Sequence, residues 1–187
     1  MDGRALSAGI AALLAEARRL ESAGRRGDAL RALEAAPEPL RAYGSWHLAR
    51  GAMLAREGRL DEAVAALREA VLRDDDVPEV LASLGGALIE RSRRAGTGAG
   101  AAVAKAAGTA SIADLAEAIR MLERAMALGP RLAPTWSSLG LAYHLAGRRE
   151  DAVAILEAGL AAHPGDPALR KNLAAARASG AGAQPRA

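Results

Sequence analysis

The chain of 187 residues contains no cysteine and no phenylalanine, only two tryptophans and two tyrosines, and only two lysines, Lys105 and Lys171. Without cysteine there is no disulfide framework, no thiolate metal site and no cysteine nucleophile, and redox chemistry by the side chains is excluded. Valine and isoleucine are too few and too scattered to supply alternating strands, so an all-α fold is expected. No run of apolar residues approaches the length of a membrane span. The formal charge is only +3, and the pI of 9.9 arises because nearly all basic residues are arginine. That balance does not by itself predict nucleic-acid binding.

A chain of this size can bury roughly 70 % of its surface in one body, so no second domain is required. The lack of cysteine agrees with a reducing compartment, and a cytoplasmic location is expected. The run from Ala5 to Ala15 has the apolar character of a short signal sequence, with Ala15-Glu16-Ala17 as a small-x-small site, which leaves export open. Its flank is poor, because Asp2 offsets Arg4. Leu6, Ile10, Leu13, Ala17 and Leu20 fall on one helical face, which favours a packed helix.

What the sequence does have is a beat. Ala29 and Leu33, Ala63 and Leu67, Ala118 and Leu122, and Ala152 and Leu156 recur at steps of 34, 55 and 34 residues. A small residue keeps the same rhythm at Ala17, Gly51, Gly85, Gly140 and Ala174. Both series stretch once, by 21 residues, so the additional segment lies between Gly85 and Ala118. A fixed period with one insertion marks a repeat protein, and binding rather than chemistry is the first expectation.

The stretch from Ala133 to Asp166 displays the unit best. Pro134 can open a helix, where its missing N–H costs nothing. Trp136, Leu139, Gly140 and Tyr143 share one face, Gly147 stops the helix, and Glu150 and Asp151 suit the positive start of the next. Ala152, Val153, Leu156 and Leu160 continue the apolar stripe until Pro164. Small residues at Gly140 and Ala152 let the two helices approach.

This unit resembles the tetratricopeptide repeat, a helix-turn-helix of 34 residues, in Trp136, Leu139, Gly140, Tyr143, Ala152, Leu156 and Pro164, with Gly159 as the departure. The unit from Gly44 to Val77 keeps Gly51, Gly58, Ala63, Leu67 and Ala70, but Trp46 sits one place early and Asp75 replaces the proline. The unit from Pro78 to Leu132 keeps Leu84, Gly85, Ala118, Leu122, Ala125 and Pro130, and the first, about Ile10 to Tyr43, keeps Ala17, Gly24, Ala29, Leu33 and Ala36. Asp166 and Pro167 open a capping helix, 167–178, with Leu169 and Leu173 facing back. The resemblance implies a right-handed superhelical solenoid of paired antiparallel helices over 5–178, and 179–187 reads as a disordered tail.

The insertion, about 92–110, reads as a flexible loop of glycine and alanine, with a short helix over Ala99 to Ala107 as an intermediate case; Ser111 and Asp114 then read as a capping box for the next helix. Gly96, Gly98, Gly100 and Lys105 do not form a phosphate loop, because no strand precedes them and no Gly-Lys-Ser/Thr follows.

The resemblance further implies that the first helices of successive repeats line a concave groove for a peptide or partner helix. Matching places hold Leu14 and Arg18; Leu48, Ala52 and Ala55; Ala82, Gly86 and Ile89; Ser137, Leu141 and His144; and Lys171 with Ala175. This surface is mostly apolar and small, suited to an apolar segment rather than to a charged clamp; the plain alternative is that these residues pack on their neighbours. Relatives that bind the acidic tails of heat-shock chaperones carry a lysine, asparagine and arginine clamp. In one frame its places hold Leu48, Ala52, Ser83, Pro134 and Ser138, and in the other Leu14, Arg18, Ala49, Glu79 and Ser83, so neither supplies it.

The turns are basic at Arg25, Arg26, Arg59, Arg93, Arg94, Arg148 and Arg149, a surface for acidic protein or nucleic acid unless acids at the next helix start balance it. Trp46, Tyr43, Trp136 and Tyr143 are expected on helices rather than among these arginines as stacking platforms. Ser137 and His144 share a face but have no acidic orienter, and His47, His144 and His163 lack metal-ligand spacing. Asp74, Asp75 and Asp76 read as a turn and cap before Pro78 rather than as a calcium loop. No cofactor or metal is expected. The expected function is a non-enzymatic protein-binding scaffold or assembly factor; an accessory subunit of an enzyme complex and, less directly, a nucleic-acid binder are the alternatives.

Overall fold

A computed structural model of the chain describes residues 3–95, 101–129 and 132–178, with the backbone alone at 101–110. The described residues form ten helices and no strand: α1 (Gly3–Ser22), α2 (Arg26–Glu34), α3 (Glu38–Arg41), α4 (Gly44–Arg56), α5 (Leu60–Arg73), α6 (Pro78–Ala95), α7 (Ala101–Leu128), α8 (Ala133–Leu145), α9 (Arg149–Ala162) and α10 (Pro167–Ala178). None of them is long and apolar enough to cross a membrane. The chain forms two compact units that divide within α6, the first ending at Ala87 and the second beginning at Leu88.

Three helix pairs, α1 with α2, α4 with α5 and α8 with α9, are joined by one kind of turn. Gly24, Gly58 and Gly147 have φ of 76°, 79° and 76°, a left-handed conformation that side-chain-bearing residues resist. The N–H of the following arginine then donates to the carbonyl five residues back: Arg25 to Leu20 at 2.9 Å, Arg59 to Leu54 at 3.0 Å and Arg148 to Tyr143 at 2.9 Å. Helix ends closed this way leave fewer carbonyls without partners.

The repeated alanines and leucines form the seam of each pair. Ala29, Leu33, Ala63, Leu67, Ala118, Leu122, Ala152 and Leu156 are all at most 1 % exposed. In the partner helices Gly51 and Gly140 are buried against Leu67 and Leu156 respectively, so close that a Cβ there would stand 2.6 Å and 2.3 Å from the leucine Cγ. The small residue is therefore a requirement of interhelical distance. Gly159, the departure from the repeat pattern, has the same cause, since a Cβ there would lie 3.0 Å from Trp136 Cβ and 3.0 Å from Leu169 Cδ2. Ala174 does not continue the series: it is exposed, and α10 buries Leu169, Leu173 and Ala176. Among the described residues α10 packs on α8 and α9.

The early tryptophan of the second repeat is a substitution of roles. Trp46 stands five residues before Gly51, the place that Thr135 holds before Gly140, and its indole Nε1 donates to Leu33 O at 2.9 Å, tying α4 to the end of α2. The first repeat also contains α3, which the repeat pattern does not announce; Leu40 anchors it in the core.

The insertion departs from the expected loop. α4 and α8 end five residues past Gly51 and Gly140, whereas α6 runs ten past Gly85; α5 and α9 begin three residues before Ala63 and Ala152, whereas α7 begins seventeen before Ala118. Residues 92–95 and 101–110 are thus helical, and only 96–100, with the glycine run, lie outside the described residues. Alanine, the strongest helix former, outweighs the scattered glycine at 108. Ser111 and Asp114 accordingly lie inside α7 and form no capping box. Asp114 Oδ2 and Oδ1 accept from Arg91 Nε and Nη2 at 2.8 and 2.6 Å, and the hydroxyls of Ser92 and Ser111 meet at 2.5 Å. Lys105 has no described side chain, and the tail 179–187 is likewise outside the described residues.

Candidate partner-binding groove

Within the first unit, α1 and α4 lie side by side, and the twist of α4 turns Leu48, Ala52 and Ser45 to the same side as Leu14 and Arg18 of α1. With Ala17, Glu21, Ala49, Met53, Arg56 and Ser83 they line a hollow of about 240 Å³. Small-molecule pockets usually measure about 300–1,000 Å³, so this hollow has the size for one or two side chains of a partner. Its floor is apolar: Ala17 and Met53 are buried and Leu14, Leu48, Ala49 and Ala52 half-buried. At one end Arg56 and Glu21 pair with each other. Arg18 is exposed and has no ion-pair partner among the described residues.

Four of the groove residues expected from sequence, Leu14, Arg18, Leu48 and Ala52, therefore come together. Ala55 lies one turn further on α4 and packs partly on the core, and Ala82 and Gly86 are half-buried on α6 outside the lining. Ile89 is a correction. It is 4 % exposed and offers no groove surface. Its counterparts Ala55 and His144 stand at the last turn of α4 and α8, but α6 continues past Ile89 to Ala95, so the position is held within a longer packed helix. Glu21, Ser45, Met53 and Arg56 were not anticipated. Ala49 and Ser83 had a signal, since they fall in the same clamp frame as Leu14 and Arg18.

In the second unit Ser137, Leu141 and His144 are half-buried on α8, and Lys171 and Ala175 are exposed on α10. Asn172, which sequence reasoning passed over, donates from Nδ2 to Ser137 Oγ at 2.9 Å and to Ser137 O at 3.2 Å. The serine hydroxyl is thus engaged by α10, and no hydrogen bond joins it to His144 among the described residues. This geometry does not make a nucleophile and base.

The basic turns carry their own acids. Arg25 pairs with Asp28 at 2.6 Å, Arg59 with Glu62 at 2.6 Å, Arg148 with Asp151 at 2.7 Å and Arg93 with Glu90 at 3.0 Å. Hydrogen bonds from these arginines hold the Asp28 and Glu62 carboxyls below their ordinary pKa. Arg149 donates to Ala176 O and Arg177 O at 3.0 and 2.8 Å, closing the carbonyl end of α10. Exposed pairs of this kind contribute little to stability, but they leave the turns with little uncompensated charge.

Asp74 closes α5 and lies against Gly44, and among the described residues no group of three or more histidines and carboxylates is placed to hold a metal. Burial, with Arg73 nearby, lowers the pKa of His47, and its Nε2 has no partner among the described residues. His163 Nε2 is likewise buried and without a partner. Tyr143 is buried and donates its hydroxyl to Glu123 Oε1 at 2.6 Å, while Arg148 stacks on its ring at 4.3 Å; burial and the Glu123 carboxylate push the phenol up to about 12.

Comparison with known proteins agrees with this construction. Residues 113–176 match the tetratricopeptide repeat family model. None of the curated proteins matches the sequence. Among solved structures, the chain is similar to TTC0263, a thermophilic tetratricopeptide protein of Thermus thermophilus, with 24 % identity, 91 % of this chain and 82 % of that one covered, and a TM-score of 0.70. It is similar to MamA at 21 % identity, with 88 % and 84 % covered and a TM-score of 0.67. The second tetratricopeptide domain of human RPAP3, solved in complex with an HSP70 peptide, aligns at 16 % identity over 70 % of this chain and 92 % of that domain, with a TM-score of 0.56. At these identities the likeness establishes the fold, a tetratricopeptide solenoid. Residues 113–176 therefore carry the tetratricopeptide repeat, and the helix pairs that recur through the described residues share its fold.

Proposed function

We propose that the chain is a non-enzymatic interaction scaffold that binds a peptide or helix of another protein in the groove bounded by Leu14, Arg18, Leu48 and Ala52. The observation that carries this reading is the apolar hollow between α1 and α4, of a size for one or two side chains and open to solvent. Covering such a floor yields about 25 cal/mol per Å² of apolar area before the costs of ordering are counted, so a partner gains by inserting an apolar side chain there. Arg18 and the paired Arg56 and Glu21 set the polar rim that orients it. Ser137, Leu141, His144 and Lys171 offer a second stretch of the same kind in the second unit, and Ala82 and Gly86 lie on α6 at matching places of the repeat. Tetratricopeptide folds serve protein recognition generally, and the RPAP3 domain binds its HSP70 peptide in that capacity.

The test is affinity capture with wild type beside Leu48→Glu and Leu141→Glu, each at a half-exposed position. Loss of a specific partner from Leu48→Glu, with the melting temperature kept, is the expected outcome. Equal recovery of every partner by all three proteins would sink the proposal.

A further inference from the structure

One face of the long α7 forms a hollow with the end of α8. Ile112, Leu115, Ala116, Ile119, Arg120 and Glu123, at positions i, i+3, i+4, i+7, i+8 and i+11, lie along one face of α7 and meet Leu145, Ala146 and Arg148 at the end of α8 and its turn. Together they enclose a hollow of about 480 Å³. Its floor is apolar, and two large apolar side chains stand open to solvent there: Ile112 is 69 % and Leu145 39 % exposed. Ile112 lies before the place where α5 and α9, the counterparts of α7, begin, so the lengthening of this helix adds Ile112 to the surface.

The rim carries one unsatisfied charge. At three turns of this chain an arginine is met by an acid three residues on: Arg25 by Asp28, Arg59 by Glu62 and Arg148 by Asp151. Arg120 has Glu123 at that spacing, but the Glu123 carboxylate accepts the hydroxyl of Tyr143 instead. Arg148 is committed to Asp151 and to the Tyr143 ring. Among the described residues Arg120 therefore has no carboxylate, beside an apolar floor that has no cover.

We propose that this hollow is a second docking site, separate from the groove of the first unit, for a helical segment of another protein that presents a large apolar side chain with a carboxylate about one turn away. The apolar group fills the floor between Ile112, Ala116 and Leu145, and the carboxylate pairs with Arg120. Arginine suits this role because its planar fork donates two parallel hydrogen bonds to a carboxylate.

A library of single-helix peptides displayed on phage, selected against the intact protein, tests it. The expected binders carry leucine, isoleucine or phenylalanine with aspartate or glutamate a turn away. Their affinity falls by about tenfold or more for both Ala116→Arg and Arg120→Glu, as for truncation of a central interface contact, and is unchanged for Leu48→Glu. All three altered side chains are at least partly exposed, so melting temperatures should stay with the wild type. Binders without an acidic preference, binders indifferent to Ala116→Arg, or binders lost in Leu48→Glu would each overturn the proposal. So would concentration-dependent dimerisation abolished by Ala116→Arg, which would make a second copy of the chain the occupant.

Discussion

Gly140 and Leu156 pack with no room between them for a methyl group: a Cβ on Gly140 would stand 2.3 Å from Leu156 Cγ and 2.5 Å from Cδ2. Gly140→Ala must push α8 from α9 or drive the leucine off its rotamer, and should cost about 1–3 kcal/mol. Gly86→Ala supplies the contrast. It lies inside α6 with nothing within 4 Å of an added Cβ, and should be neutral or stabilising by about 0.5–1 kcal/mol. Urea denaturation followed by circular dichroism measures both.

The lengthened pair α6 and α7 is fixed by Arg91 and Asp114, whose side chains are 24 % and 10 % exposed. Asp114→Ala removes the two carboxylate oxygens to which Arg91 Nε and Nη2 donate and should cost about 1–3 kcal/mol, more than an exposed pair such as Arg148 and Asp151, at about 0–1 kcal/mol. Unfolding midpoints of Asp114→Ala and Asp151→Ala give the comparison.

Tyr143 predicts an alkaline transition. Its phenol titrates at 10.0 when unfolded and at about 12 in the folded protein, so the folded state is favoured while the phenol keeps its proton. That contribution is whole below pH 10 and disappears as pH rises through about 12, a loss on the order of 2 kcal/mol. Thermal melts across this range should fall more steeply for wild type than for Tyr143→Phe, which has no proton to lose.

Helix α10 has a side-chain N-cap. Asp166 Oδ1 accepts from the N–H groups of Ala168 and Leu169 at 2.8 and 2.9 Å. Asp166→Ala should destabilise by about 1 kcal/mol, and Asp166→Ser should restore most of it. Amide exchange in α10 would show where the loss falls.

The period alone made the helix pairs legible, because the residues that repeat are those that cannot vary without moving a helix: Ala63 and Leu67 with Gly51, Ala152 and Leu156 with Gly140. Local pattern failed where the partner was distant in sequence. Ser111 and Asp114 have the spacing of a capping box, yet their partners are Ser92 and Arg91, 19 and 23 residues away. The glycines of the insertion suggested a loop while the alanines between them formed helix. Ile89 was transferred to the groove by counting from Gly85, which works only if α6 has the length of its counterparts. Leu14, Arg18, Leu48 and Ala52 do lie together in one hollow, because α1 and α4 follow the ordinary repeat to their turns.

Site-specific photo-crosslinking tests the scaffold account most directly. A photoreactive side chain placed at Ala52, in the hollow, and another at Ala65, exposed on α5 outside its lining, are irradiated in cells and the products separated by mass. The account predicts a discrete crosslinked protein from position 52 that is absent from position 65 and disappears when Leu48→Glu is added. Equal products from both positions, or a product from position 52 that survives Leu48→Glu, would contradict it.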